Sequence, residues 1–348
     1  MLIHDNIGFH NVAELHDDGD GLRLQRVPEL VRQQLNENAA ARMLAAAGTE
    51  IRFVSTADRI GITLSATGDA ELIPFFGPLQ GKERFQIPAE RTIFEIERPE
   101  RLKMMDERTQ TGLWFSPDVW RLTLRGPRGA GGRPEIRYHG IDGEALRAPN
   151  DDETPRIRYL AYGTSITQGA AASAGHLTYA AQTAALLQAD LINLGVGGAA
   201  WCEPVLADYI AERDDWDIAT LELSVNMVGA GFSDDEFRER VTYMLDRVAR
   251  TNTGKPVVCI TIFPHFRDFS GDPAAADHVE RFRTILRETH ASLGHPNTTL
   301  IEGADMLADP AGLTVDLLHP GDAGMTQMAT HLATRMKPML SQQYPEGI

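Results

Sequence analysis

Cysteine is nearly missing from these 348 residues: only Cys202 and Cys259 occur. Two are too few for a disulfide framework and too sparse for a zinc site. No apolar run approaches the roughly 18–20 residues that cross a bilayer, so no membrane association is expected. Basic charge is also short, with 33 Lys and Arg against 49 Asp and Glu and a formal net charge of −16. The imbalance is uneven: residues 1–150 carry 19 basic and 22 acidic side chains, the remainder 14 and 27. An acidic C-terminal half repels phosphate backbones, which argues against nucleic acid as a partner. Repeats and low-complexity tracts are lacking, and Met1-Leu2-Ile3-His4-Asp5 does not begin a basic-then-apolar leader. The expectation is therefore a cytoplasmic protein. The rest of the composition, 43% apolar and 24% charged, is that of a globular chain long enough for two domains.

Arg147-Ala148-Pro149-Asn150-Asp151-Asp152-Glu153-Thr154-Pro155 is polar, acidic and flanked by prolines, and reads as a linker between domains at 1–150 and 151–348. Before it, short alternating runs (Ile51–Phe53, Ile60–Leu64, Ile93–Ile96, Trp120–Leu124, Ile136–Tyr138) are separated by Gly and Pro turns, the pattern of an antiparallel sandwich. One helix is expected from Pro28 to Ala47, ahead of Gly48. After the linker, apolar runs at Ile157–Ala161, Leu191–Leu194, Ile218–Leu223, Val257–Ile262 and Thr299–Ile301 alternate with helical stretches. Ser233-Asp234-Asp235-Glu236 is a capping box opening one of these helices, with Gly254 available to close it. The last helix is expected from just after Pro320 to about Tyr344. Five strands alternating with helices imply a doubly wound, three-layer parallel domain. With strand order 2-1-3-4-5, Ser165, Gly198 and Asn226, which follow strands one, two and three, converge at the carboxyl edge where a ligand crevice is expected.

Most serines after a strand only cap the next helix. Ser165 differs in its setting, Tyr162-Gly163-Thr164-Ser165-Ile166-Thr167-Gln168-Gly169, where glycines relieve a tight turn. The segment is not the Gly-x-Ser-x-Gly elbow, because Thr167 takes the second glycine position. Gly195-Val196-Gly197-Gly198 invites a dinucleotide reading that fails, since Trp201 stands where the third glycine belongs and the motif follows the second strand. A bare turn is the alternative for these glycines, and a loop role for Asn226. His319 is the strongest single residue, because Asp316 lies three positions before it, within reach of imidazole Nδ1. No further ligands spaced for a metal accompany it, so neither metal nor cofactor is expected.

Together these segments resemble the SGNH, or GDSL, hydrolase family. Gly163-Thr164-Ser165 is similar to its first block, with Thr in place of the usual Asp. Gly198 matches the second-block glycine, Asn226 the third-block asparagine, and Asp316 with His319 the fifth block; Met227 replaces the Asp that often follows the asparagine. The resemblance spans residues 156–342. It implies a flavodoxin-like sheet and ester hydrolysis, with Ser165 as nucleophile, His319 as general base and Asp316 orienting it. The Ser165 and Gly198 N–H groups and the Asn226 side chain would form the oxyanion hole. The first domain is similar, in architecture, to jelly-roll modules that precede some carbohydrate esterases. The expected substrate is a small-molecule or oligosaccharide ester, probed as acetyl because Gly197, Gly198, Ala199 and Ala200 suggest a restricted acyl site. Trp201, Trp114 and His265 are candidate substrate contacts. Self-association is allowed by the sequence. The alternatives are a lipid or thioester acylhydrolase and a non-catalytic carbohydrate-binding protein.

Overall fold

The computed structural model describes residues 1–126 and 134–344. It divides into two compact units, one of Met1–Arg32 with Ala41–Arg156, the other of Gln33–Ala40 with the chain from Ile157 onward.

In the first unit all strand pairs are antiparallel. One sheet runs Leu2–His4, Ile7–His10, Thr49–Val54, Val119–Arg125, Ala70–Phe76 and Leu79–Gln80, with Phe85–Ile87 also paired to Ala70–Phe76. The other runs Thr92–Glu97, Arg59–Ala66, Ile136–Asp142, Leu22–Gln25 and Glu14–Asp17. Their inward residues share one core, as the alternation of the sequence requires. Trp120 lies at its centre, fully buried between Phe53 and Phe76 with ring centroids 5.7 and 4.9 Å away. The acidic stretch before the second unit is an ordered turn at Asp151–Glu153, tied back by a two-bond ion pair from Arg147 to Glu153.

The single helix expected over 28–47 is broken. Two short helices form instead, Glu29–Arg32 and Glu37–Arg42. Asn36 interrupts the run because its side chain caps the second helix, accepting from the Ala39 N–H at 3.0 Å. Its own N–H and its Nδ2 both donate to Glu203 Oε1 at 2.7 Å, within the second unit. Burial raises the Glu203 carboxyl above its usual range, and these two bonds work against that rise. Asn36→Ala is expected to cost about 1–3 kcal/mol by leaving a buried acceptor short of a donor. A lower urea midpoint at unchanged slope is the check; no shift would mean that the backbone bond alone suffices.

The second unit carries a five-stranded parallel sheet ordered Ala189–Gly195, Ile157–Gly163, Ile218–Glu222, Val257–Ile260, Thr298–Ile301, which is 2-1-3-4-5. These strands are apolar nearly throughout, as parallel strands covered on both faces must be. Helices Tyr179–Leu186 and Asp322–Gln343 pack together on one face; on the other, Asp234–Thr251 lies between Pro204–Glu212 and Pro273–Leu293. The Ser233 capping box forms with both its bonds. Gly254 does not close that helix, which ends at Thr251. Asn252 caps it, with a side chain that donates to Ala211 and Val248 carbonyls.

Candidate active site

The first two strands end in register, Gly163 opposite Gly195. Two residues beyond each, Ser165 and Gly197 face one another: a Cβ added to Gly197 would stand 3.4 Å from Ser165 Cβ. Ser165 opens a one-turn helix, Ser165–Gln168, capped by the Thr164 side chain and closed by Gly169 at φ 106°. Its N–H is thus among the helix-start amides that lack an intrahelical partner. The far side of the turn is held by Asn193 Nδ2 to the Thr167 carbonyl at 2.8 Å and by the Gly197 N–H to Gln168 Oε1 at 2.7 Å.

Asp316 and His319 sit on a tight loop bracketed by a β-bridge between Leu313 and Pro320. The Thr314 N–H donates to the His319 carbonyl at 2.8 Å, and the Leu317 N–H to the Thr314 carbonyl at 2.9 Å. Leu317 takes φ 51°, a conformation costing a non-glycine residue about 1–3 kcal/mol. That twist gathers four donors around one carboxylate. Asp316 Oδ1 accepts from the Leu318 and His319 N–H groups, both at 2.9 Å, and from the Thr314 hydroxyl at 2.8 Å; Oδ2 meets His319 Nδ1 at 2.7 Å. Partial burial works to raise the Asp316 carboxyl, but the bonds from the His319 ring and amide, from Leu318 and from Thr314 outweigh it and hold it well below the usual carboxylate range. An ionised Asp316 accepts a hydrogen bond from Nδ1–H, which fixes the tautomer in which Nε2 is an acceptor, and Nε2 lies 2.8 Å from Ser165 Oγ. This arrangement can withdraw a proton from a serine hydroxyl.

Asn226 occupies the first turn of the helix Val225–Ala230, which follows the third strand. Its Oδ1 accepts from the Ala200 N–H at 3.2 Å, so the amide donors are its outward end. Ser224, which carried no signal in the sequence, is fully buried and donates to the Ala200 carbonyl at 2.5 Å. The two bonds tie the loop after strand two to the loop after strand three. Gly198 on the first of these has φ 74° and open space where a side chain would be. Ala199 and Ala200 beside it are fully buried.

The candidate substrate contacts fall into different settings. Trp201 is half-buried against Phe232 at 5.5 Å, and its buried Nε1 has no partner among the described residues. His265 is 1% exposed; its Nδ1 lies 3.1 Å from Asp268, which Arg283 grips with two bonds of 2.6 and 2.9 Å. The adjoining Phe266 N–H donates to the Leu317 carbonyl at 2.6 Å, so this segment abuts the Asp316–His319 loop. Trp114 belongs to the sandwich unit, where its ring meets Phe115 edge-on at 5.3 Å.

One residue escaped sequence reasoning. Glu222, at the end of the third strand, is fully buried and accepts the Thr164 N–H at 2.6 Å. Burial pushes its carboxyl up to about 7 against the opposing hydrogen bonds of Thr164 and Thr167. A lone charged residue inside Ile218-Ala219-Thr220-Leu221-Glu222-Leu223 was the available signal. Among the described residues, no group of three or more His, Cys, Asp or Glu side chains could hold a metal ion, and no helix is long and apolar enough to cross a membrane.

Residues 161–327 match the GDSL-like Lipase/Acylhydrolase family. No curated protein matches the sequence at a significant level. Among solved structures, a salicylyl-acyltransferase, SsfX3, from a tetracycline biosynthetic pathway has 16% identity and a TM-score of 0.77, covering 96% of this chain and 95% of that one. A family two carbohydrate esterase from Clostridium thermocellum, solved with cellohexaose, has 14% identity and a TM-score of 0.63, covering 96% and 99%. The acetyl xylan esterase Est2A of Butyrivibrio proteoclasticus has 11% identity and a TM-score of 0.61, covering 98% and 97%. These likenesses establish the fold, a β-sandwich followed by the SGNH-type parallel sheet.

Proposed function

We propose that this chain, whose residues 161–327 are a GDSL-like lipase/acylhydrolase domain, is a serine esterase that removes a small acyl group, acetyl foremost, from a carbohydrate hydroxyl. The observation that carries the reading is the chain of hydrogen bonds from Ser165 Oγ to His319 Nε2 at 2.8 Å and from His319 Nδ1 to Asp316 at 2.7 Å. Ser165 attacks the ester carbonyl as its proton passes to Nε2. The negative charge that grows on the carbonyl oxygen is met by the Ser165 and Gly198 N–H groups and the Asn226 amide. Nε2 returns the proton to the departing sugar oxygen, leaving an acyl-serine. Water, deprotonated by the same nitrogen, then releases the acid. The carbohydrate part of the reading draws on the architecture shared with a family two carbohydrate esterase and an acetyl xylan esterase.

Turnover of 4-nitrophenyl acetate against octanoate, followed by acetylated oligosaccharides, tests this. Acetate preference with deacetylation of sugars supports it. Octanoate preference sinks the small-acyl reading, and no turnover of any ester sinks the enzyme reading. Asn226→Ala is expected to lower kcat by roughly 10²–10³ with KM nearly unchanged, since a donor aimed at the oxyanion acts in the transition state alone. If KM rises while kcat holds, Asn226 is a substrate contact instead.

A second reading is favoured by one observation. Val315 and Leu317, flanking Asp316, are exposed apolar side chains, and Phe266 next to Leu317 is exposed too. An apolar rim beside the base suits an organic alcohol as acyl acceptor, which would make the protein a transferase. Partition of the acyl-enzyme between water and an added alcohol, read as ester formed per acid released, separates the two.

A further inference from the structure

The nucleophile turn is gripped from beneath by a carboxyl that the reaction itself does not call for. Glu222 Oε2 accepts the Thr164 N–H at 2.6 Å and the Thr167 hydroxyl at 3.3 Å, and Thr167 Oγ1 lies 2.6 Å from the Tyr179 hydroxyl. A Cβ at Gly163 would stand 2.6 Å from Glu222 Oε2 and 2.8 Å from Glu222 Cβ. The carboxyl therefore occupies the space of a side chain at 163, flat against the peptide that leads into Thr164 and Ser165. Residues before and after the nucleophile are bound to the same oxygen, so Ser165 sits on a bracket with Glu222 at its base.

We propose that Glu222 is a positioning residue of the nucleophile, its carboxyl fixing the Gly163–Thr164 peptide and thereby the directions of the Ser165 N–H and hydroxyl. The inference rests on the serine-esterase reading above. Burial brings its titration into the neutral range, and the neutral carboxyl is the form that suits this role. No Lys, Arg or His of the described residues ion-pairs with it, and burial is what pushes it up to about 7. The titratable groups facing it are Tyr179, on the helix Tyr179–Leu186, and Cys202, beyond the second strand. Burial raises both, which keeps them uncharged. Ionisation of Glu222 would thus place an uncompensated charge behind Ser165, opposing the charge that develops on the substrate oxygen. Turnover should fall as pH rises through the ionisation of Glu222.

Glu222→Gln keeps an acceptor for the Thr164 N–H and cannot ionise; Glu222→Ala removes the bracket. With 4-nitrophenyl acetate, corrected for spontaneous hydrolysis, wild-type kcat is expected to fall about tenfold from its optimum by pH 9. E222Q should stay within about threefold of wild type at pH 6.5 and lose that decline, whereas E222A should lose about 10²-fold in kcat with KM little changed. E222Q as slow as E222A at pH 6.5, or E222Q retaining the alkaline decline, overturns the proposal. Labelling by a fluorophosphonate, in which Ser165 Oγ bonds to phosphorus and fluoride leaves, keeps the two readings apart. Failure of wild type to label at Ser165 sinks the serine reading and this proposal with it. Equal labelling rates in wild type and E222A sink only the role of Glu222. Should E222A not fold, E222Q alone decides.

Discussion

Ser165→Ala is expected to lower kcat on 4-nitrophenyl acetate by at least about 10³-fold, because removal of a nucleophile leaves only binding and oxyanion donors to act. The fold should hardly notice. Ser165 is nearly buried, alanine fills most of its volume, and what is lost is one hydrogen bond, typically about 1 kcal/mol. Circular dichroism should report a melt within a few degrees of wild type. A variant keeping more than a tenth of wild-type kcat would remove Ser165 from the nucleophile role.

Asp316→Asn is expected to cost about 10⁴-fold in kcat, the scale seen when the acid of a serine-protease triad becomes an amide. The substitution is clean here because the two carboxylate oxygens have separate duties. Oδ1 holds the loop through Leu318, His319 and Thr314, and an asparagine oxygen can keep those bonds. Only Oδ2 faces the imidazole, and an amide N–H placed there would meet the Nδ1–H or force the tautomer in which Nε2 carries the proton. Nε2 could then no longer accept from Ser165. A loss of less than tenfold would mean that His319 is oriented by something other than Asp316.

The sequence was most legible where function is local. Asp316 and His319 lie within one turn, so spacing alone brought them together, and Ser165 follows a strand whose apolar run is unambiguous. The parallel strands were found for the same reason: burial on both faces makes each an unbroken apolar segment. The sandwich hid more of itself. Glu14–Asp17 and Leu22–Gln25 carry charges on a second sheet with one wet face, and Ala70–Phe76 contains Pro74, which normally argues against a strand. The break at Gln33–Asn36 left only a local cue, the capping side chain of Asn36, while the bonds that anchor it reach Glu203, 167 residues further on. Glu222 was passed over because an acidic residue in an apolar strand matches no local motif. Its meaning comes from Gly163 and Thr164 on the neighbouring strand.

Of the two hydrogen bonds on which the proposed chemistry depends, only one is fragile. The bond between His319 and Asp316 is internal to a loop clasped at both ends, and it survives any displacement of that loop as a whole. The bond between Ser165 and His319 bridges 154 positions of chain and is answerable to how the last helix and its leading loop seat against the sheet. Heat or a distant substitution would therefore disable the protein by misalignment, with its acid–base pair still assembled. Activity should disappear at a lower temperature than secondary structure. Additives that stiffen the seating of residues 314–320 should close that gap without raising the global melt.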